Sequence, residues 1–119
     1  MNNQAFSSHV KDLRMEKNRD DKSFSLRQVA SRIGLEPSYL SKIERGEQAP
    51  PGEEKIVNLA KELDEDPDAL LAMAGKVSKD LQEVIRKRPK LFAKLIRELK
   101  EMPDDAILSI VREVRDGNW

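Results

Sequence analysis

The chain has 119 residues with no cysteine and one histidine, and its 22 Lys and Arg balance its 22 Asp and Glu. At 38% hydrophobic and 37% charged residues, it is polar for a globular protein but too apolar for a fully disordered one. The composition excludes disulfides and thiolate metal sites, and no apolar run approaches the roughly 20 residues that span a bilayer. Because residues 1–10 also lack the pattern of a signal peptide, we expect a cytoplasmic protein without a membrane partner.

The charge is polarised along the chain although its sum is zero. Residues 11–45 contain nine basic and six acidic residues, and residues 46–75 contain two basic and eight acidic ones. Residues 76–119 contain eleven basic and eight acidic residues. Since a polyanion responds to the local field, the zero net charge does not exclude a nucleic-acid partner.

The first half of the sequence predicts three helices, because apolar residues recur at intervals of three and four. The first helix runs from about residue 4 to 17 and ends at the stretch NRDDKS. Ser25 is the expected N-cap of the second helix, and Gly34 is its expected left-handed C-cap. Pro37 suits the first turn of a third helix, which ends at Gly46.

Further helices follow, and no segment shows the alternation of a strand. A fourth helix is expected at about 53–63, and DEDPDALLAMAG predicts a capped fifth helix that ends at Gly75. The apolar pattern beyond predicts helices at about 78–87, from Pro89 to about Met102, and from Pro103 onward. The fold class is therefore all-α, with one region at 1–75 and a second helical region at 76–119.

The outward side of the third helix suggests a function. The apolar residues around the turn between the second and third helices are expected to pack inward. Ala30 is small enough to let these two helices approach closely. The residues left on the outer side are Pro37, Ser38, Tyr39, Ser41 and Lys42. Short hydroxyl side chains and one lysine suit the base edges of a DNA major groove.

The run SLRQVASRIGLEPSYLSKIERGEQAP, residues 25–50, resembles the helix-turn-helix of the Cro/cI-type (XRE) regulators. The resemblance covers residue 6 to about residue 74 and implies a five-helix lambda-repressor-like domain whose third helix lies in the major groove. It implies a transcription regulator that binds double-stranded DNA, is not an enzyme and needs no cofactor or metal. The implied DNA-binding residues are Ser25, Arg27, Gln28, Pro37, Ser38, Tyr39, Ser41, Lys42 and Arg45.

Within this set, Ser38 and Lys42 are the expected base contacts, and Tyr39 is a candidate for either a base or a phosphate. Ser25 and the start of the second helix are expected at the DNA backbone, with Arg45 and the start of the fourth helix, around Gly52, on the other side.

The resemblance also implies an ion pair between Arg14 and Glu44 that joins the first and third helices. Three features depart from the family pattern. Leu26 replaces a polar residue, so that Arg27 or Gln28 would have to supply its phosphate contact, and Glu47 follows the glycine where a basic residue is usual. The connector NRDDKSF is longer than in compact phage repressors. We expect a solvated loop there, and the alternative is that its Arg19 and Lys22 reach the DNA backbone.

The apolar residues after Gly75 exceed what one small domain covers. We expect a homodimer that suits a palindromic operator, and the alternative is an extension folded onto the fifth helix. The expected dimerisation residues are Leu91, Phe92, Leu95, Ile96, Leu99, Ile107, Ile110, Val111 and Val114. The basic run RKRPK at 86–90 is either a further phosphate contact or a solvated helix end.

We expect the regulator to be a repressor. Two other functions stay open. The C-terminal helices of an antitoxin-type autorepressor would bind a toxin, and an adaptor would keep the fold without binding DNA, as the acidic segment at 46–75 suggests. Catalysis has little support, because His9 lies next to Ser7 and Ser8 along the chain and is expected to be exposed or to cap the helix. Any effector is expected to be a protein, because no separate ligand domain is visible.

Overall fold

Helices and short connections make up the computed structural model, which describes residues 3–117 and has no strand in that range. The helices are α1 (Gln4–Asp20), α2 (Leu26–Ile33), α3 (Pro37–Glu44), α4 (Glu53–Glu62), α5 (Pro67–Met73), α6 (Lys79–Lys87), α7 (Pro89–Leu99) and α8 (Asp104–Asp116). A 3₁₀ turn, Lys22–Phe24, lies between α1 and α2. This architecture confirms the all-α class and the five helices followed by a helical extension.

The chain forms two compact units, one up to Ser78 and the other from Lys79 onward. Residues 1, 2, 118 and 119, at the outer ends of the two predicted regions, lie outside the described residues. Among the described residues, no helix is long and apolar enough to cross a membrane.

The first unit has one hydrophobic core to which all five of its helices contribute. In it α2 contacts α3 and α4, while α1 contacts α3 and α5. The core residues are Phe6, Val10, Val29, Ala30, Ile33, Leu40, Ile43, Ile56, Leu59, Ala60, Leu63, Leu70 and Leu71. These follow the predicted apolar faces, so that burial of the helix stripes determines how the unit packs.

The predicted helix caps at α2, α3 and α5 are present. The Ser25 hydroxyl accepts the Gln28 N–H at 3.3 Å, and the Asp66 carboxylate accepts the Asp68 N–H at 3.0 Å. Pro37 lies in the first turn of α3, where its missing N–H costs no helical hydrogen bond. The acidic stretch DEDPD therefore starts a helix, as expected.

The prediction for the end of α1 was wrong. The helix continues to Asp20, three residues beyond the predicted end, and the rest of the connector forms a 3₁₀ turn and not an irregular loop. Residues 19–22 are exposed, as expected for a solvated segment. The Asp21 carboxylate accepts the Ser23 N–H at 2.9 Å, which starts the 3₁₀ turn. Hydrogen bonding to the Ser23 side chain, and then to its N–H, lowers the pKa of Asp21.

The ring of Phe24, the last residue of this 3₁₀ turn, contacts two cationic side chains. Lys17 Nζ and Arg32 Cζ lie 5.3 Å and 5.2 Å from the ring centroid, which is the range of cation–π contacts. Both cations come from flanking helices, so these contacts depend on tertiary packing and could not be predicted from the connector itself.

The second unit contains α6, α7 and α8, and none of the residues of these helices is buried. Several large apolar side chains of α7 and α8 are about half exposed, and Leu91 reaches 64%. The unit therefore lacks the buried interior that normally stabilises packed helices.

Candidate nucleic-acid interface

The turn between α2 and α3 places the two helices against each other. Gly34 adopts φ 74°, a left-handed conformation that is readily open to glycine and costly for most residues. The Leu35 N–H then donates to the Ala30 carbonyl at 2.9 Å, which closes the C-terminus of α2. Ala30 is fully buried, and its small side chain permits the close helix approach that the sequence predicts.

A buried ion pair fixes α3 against α1. Arg14 donates from Nε to Glu44 Oε2 at 2.7 Å and from Nη2 to Glu44 Oε1 at 2.9 Å. The two side chains are only 9% and 3% exposed. A third donor of Arg14, Nη1, reaches the Phe24 carbonyl at 3.2 Å. This bidentate pair confirms the predicted link and, together with the buried Leu40 and Ile43, holds the inner side of α3 against the rest of the unit.

The structure places most of the predicted DNA-binding side chains on the surface of the first unit. Five of them are exposed: Arg27, Gln28, Ser38, Lys42 and Arg45. Four are half-buried: Ser25, Pro37, Tyr39 and Ser41. Ser38, Lys42 and Arg45 are spaced by four and three residues, which puts them along one side of α3.

Two of the half-buried hydroxyls already have partners. Ser25 is the N-cap of α2, so its oxygen is used by the helix that it starts. Ser41 Oγ accepts a short hydrogen bond from Arg45 Nη1. Hydroxyls can both donate and accept, so each keeps capacity for a second hydrogen bond.

A groove lies beside α3 at the start of α4. Its volume is about 420 Å³, and its lining includes Gly34, Tyr39, Gly52 and Lys55. Tyr39 packs partly against the core. The first turn of α4 carries Glu53 and Glu54, and these carboxylates favour a helix N-terminus but repel a phosphate approaching it.

Glu47, which the sequence shows only as a departure from the family pattern, contacts one of the predicted DNA-binding residues. Its Oε2 accepts hydrogen bonds from Arg45 Nε at 2.9 Å and is 2.8 Å from Arg45 Nη2. This contact, together with the charge of Lys42, lowers the pKa of Glu47. The acidic residue two positions beyond Arg45 was the only sequence signal for this pair.

The single histidine lies in a tertiary contact away from this surface. His9 Nε2 is 2.6 Å from Glu65 Oε2, which joins α1 to the turn between α4 and α5. The expectation of an exposed or cap-like histidine was therefore wrong, because the partner is 56 positions away in sequence. Nearby, Lys17 Nζ reaches Asp64 Oδ2 at 2.6 Å. In the described range, no group of three acidic or histidine side chains is arranged to hold a metal ion.

The residues predicted to dimerise lie on α7 and α8 of the second unit. Four are half-buried, namely Phe92, Leu99, Ile107 and Ile110, and five are exposed, namely Leu91, Leu95, Ile96, Val111 and Val114. Six of the nine line an apolar groove of about 370 Å³, and they are Leu95, Leu99, Ile107, Ile110, Val111 and Val114. Arg115 is a seventh lining residue.

A family model described as helix-turn-helix matches residues 15–70, from the middle of α1 to α5. The match includes the turn at Gly34, all of α3 and every predicted DNA-binding residue. Neither a curated protein nor a solved structure matches the chain.

Proposed function

Because residues 15–70 belong to the Cro/cI-type helix-turn-helix family, we propose that this protein is a sequence-specific regulator of transcription. It binds a palindromic operator in double-stranded DNA as a homodimer and acts as a repressor. The observation that carries the proposal is the outer side of α3, which presents small polar groups and cations while its inner side is locked to α1.

In this proposal α3 enters the major groove. Ser38 and Lys42 lie one helical turn apart and face the base edges, where a lysine recognises the guanine O6 and N7 acceptors. Ser41 and Pro37 lie beside them, and Tyr39 contacts a phosphate or a base. These groups provide sequence preference, whereas the backbone contacts provide register.

Contacts to the phosphates come from both sides of α3. Arg27 and Gln28, in the first turn of α2, are exposed and replace the polar side chain that Leu26 lacks. Ser25 supports them from its N-cap position, and Arg45 acts from the end of α3. Because Glu53 and Glu54 lie at the start of α4, the N-terminus of α4 contributes less to phosphate binding than Arg27 and Arg45 do.

The second unit supplies the two-fold symmetry. Three helices with exposed apolar side chains and no buried residue gain stability if a second copy covers them. Two paired copies carry two α3 helices, which suits half-sites about one helical turn, or roughly 10 base pairs, apart.

The same groove favours a second candidate, an antitoxin-type autorepressor whose α7 and α8 bind a toxin. Mass measurement after purification from the native cell distinguishes the two. A complex of two identical chains supports the homodimer, whereas a stoichiometric second polypeptide on the C-terminal helices supports the antitoxin.

The test of the proposed function is selection of binding sites from random duplexes with the full chain. We expect enrichment of an inverted repeat, and binding to the enriched duplex that weakens steeply as salt rises. The chain with Lys42→Ala and Ser38→Ala serves as the matched control, and it should enrich a less defined motif. If the unmodified chain enriches no sequence and binds no duplex at low salt, it is not a DNA-binding regulator and the adaptor function stands instead.

A further inference from the structure

Arg45 is occupied by partners from its own chain. It follows α3 as the C-cap residue, and its guanidinium folds back over the end of the helix. Nε and Nη2 point to one oxygen of Glu47, while Nη1 donates to Ser41 Oγ. All three nitrogens of the guanidinium are therefore engaged by two residues of the same surface.

This pair is too exposed to serve mainly as a support for the fold. The side chains of Arg45 and Glu47 are 51% and 57% exposed, and exposed ion pairs contribute little to stability because water screens them. The hydrogen bond from Arg45 lowers the pKa of Glu47, because this contact favours the ionised carboxylate. Because water screens the exposed pair, a backbone phosphate of DNA can take the place of the carboxylate on Arg45.

We propose that Glu47 is a positioning residue that competes with DNA phosphate for Arg45 and so weakens binding to duplexes of any sequence. This inference rests on the proposed function and adds a residue that restrains it. A phosphate that approaches Arg45 must break the contact with Glu47 and remain close to that carboxylate. The exposed charges at residues 36–47, Lys42 and Arg45 against Glu36 and Glu47, sum to zero.

Competition from Glu47 weakens a phosphate contact and leaves the base contacts, which provide sequence preference, unchanged. Binding without sequence preference depends almost entirely on phosphate contacts, whereas specific binding adds contacts to the bases. An arginine that is partly neutralised by its own chain lowers the time spent on random DNA. Glu47 therefore tunes the strength and the salt dependence of DNA binding through Arg45.

The test compares Glu47→Gln with the unmodified full chain on a random-sequence duplex over a salt series. We expect roughly threefold to tenfold tighter binding at low salt, and a slope of log affinity against log salt that steepens by about one, because Arg45 then neutralises one more phosphate. Glu16→Gln is the matched control, since it removes the same charge from an exposed position on α1. It should change neither quantity appreciably.

A double-mutant cycle shows whether Glu47 acts through Arg45. In an Arg45→Gln background, Glu47→Gln should have no effect on affinity or slope. If the gain persists there, or if Glu16→Gln gives the same gain, the effect is diffuse repulsion and the inference fails. If Glu47→Gln binds like the unmodified chain, the inference fails while the proposed function stands; if the unmodified chain binds no duplex, both fail. An unchanged melting temperature for Glu47→Gln verifies that its fold is intact.

Discussion

Glu44 occupies the last position of α3, where its carboxylate faces the core and receives two hydrogen bonds from Arg14. We expect Glu44→Ala to lower the free energy of unfolding by about 3–5 kcal/mol, because Arg14 would stay buried without its counter-charge. Urea denaturation measures this loss, with the exposed Glu54→Ala as the control. An unchanged melting temperature would contradict the structural role of the pair.

Lys42 lies on the outer side of α3 and is exposed. We expect Lys42→Ala to weaken specific binding by roughly 1–3 kcal/mol and to relax preference at one base pair of each half-site. Titration of the selected operator and of its single-base variants measures both effects. Lys11→Ala, which removes an exposed lysine of α1, is the control. Full discrimination retained in Lys42→Ala would refute the assigned role.

We expect Glu65 to make the free energy of unfolding depend on pH in the acid range. The hydrogen bonds from His9 and from the Asp66 N–H lower the pKa of Glu65 in the folded chain. A lowered folded pKa means that its contribution is complete above the ordinary carboxylate pKa of about 4.3 and is lost as pH falls through the folded value.

We therefore expect Glu65→Gln to be slightly less stable at neutral pH and to lose less stability on acidification. Urea denaturation at a series of pH values from neutral to acid tests this expectation. Asp68→Asn, which removes an exposed carboxylate from α5, is the control. Parallel stability curves for Glu65→Gln and the unmodified chain would show that this contact is not coupled to folding.

Gly34 forms the turn between α2 and α3, with φ 74°. A Cβ at this position would lie 2.8 Å from Lys55 Nζ, the mobile end of a long side chain, so that the main cost of a substitution is in the backbone. We expect Gly34→Ala to cost about 1–2 kcal/mol of stability, and Gly34→Asn to cost less, because asparagine tolerates this conformation better. Thermal denaturation compares the two variants, and equal losses would show that crowding dominates.

Helices α2 and α3 were predictable because their signals are local. Ser25, Gly34 and Pro37 each determine a helix end through their own chemistry, and the apolar spacing determines the inner side. The end of α1 was missed because its extension to Asp20 leads into the 3₁₀ turn, where Phe24 contacts cations on other helices. Contacts between distant residues, such as His9 with Glu65, have no local signal.

The sequence predicted which residues form the candidate DNA-binding surface, but it did not predict the contacts between them. Subtraction of the core residues left Ser38 and Lys42 on the outer side of α3, where the structure exposes both. The pair of Arg45 with Glu47 depends on how the chain turns after Gly46, at φ 75°. Apolar spacing carries no information about such a turn between charged side chains.

The apolar groove of α7 and α8 predicts that two copies of the chain associate. We expect Leu95→Glu to shift a dimer to monomers, with a roughly tenfold or larger rise in the dissociation constant, because a leucine buried at an interface contributes about 1.5–3 kcal/mol. Analytical ultracentrifugation over a concentration series measures this shift. Ser109→Glu, an exposed position of α8 that does not line the groove, is the control. A monomeric unmodified chain at micromolar concentration would exclude the dimer.

The lack of buried residues in α6, α7 and α8 has a consequence for dosage. If a second copy covers these helices, their order is coupled to protomer concentration, as in obligate dimers. At low abundance the number of paired molecules then grows with the square of expression, so that binding of the paired form to DNA rises over a narrower range of expression than a monomeric binder allows. The steepness of this response would come from the exposed leucines and valines of α7 and α8.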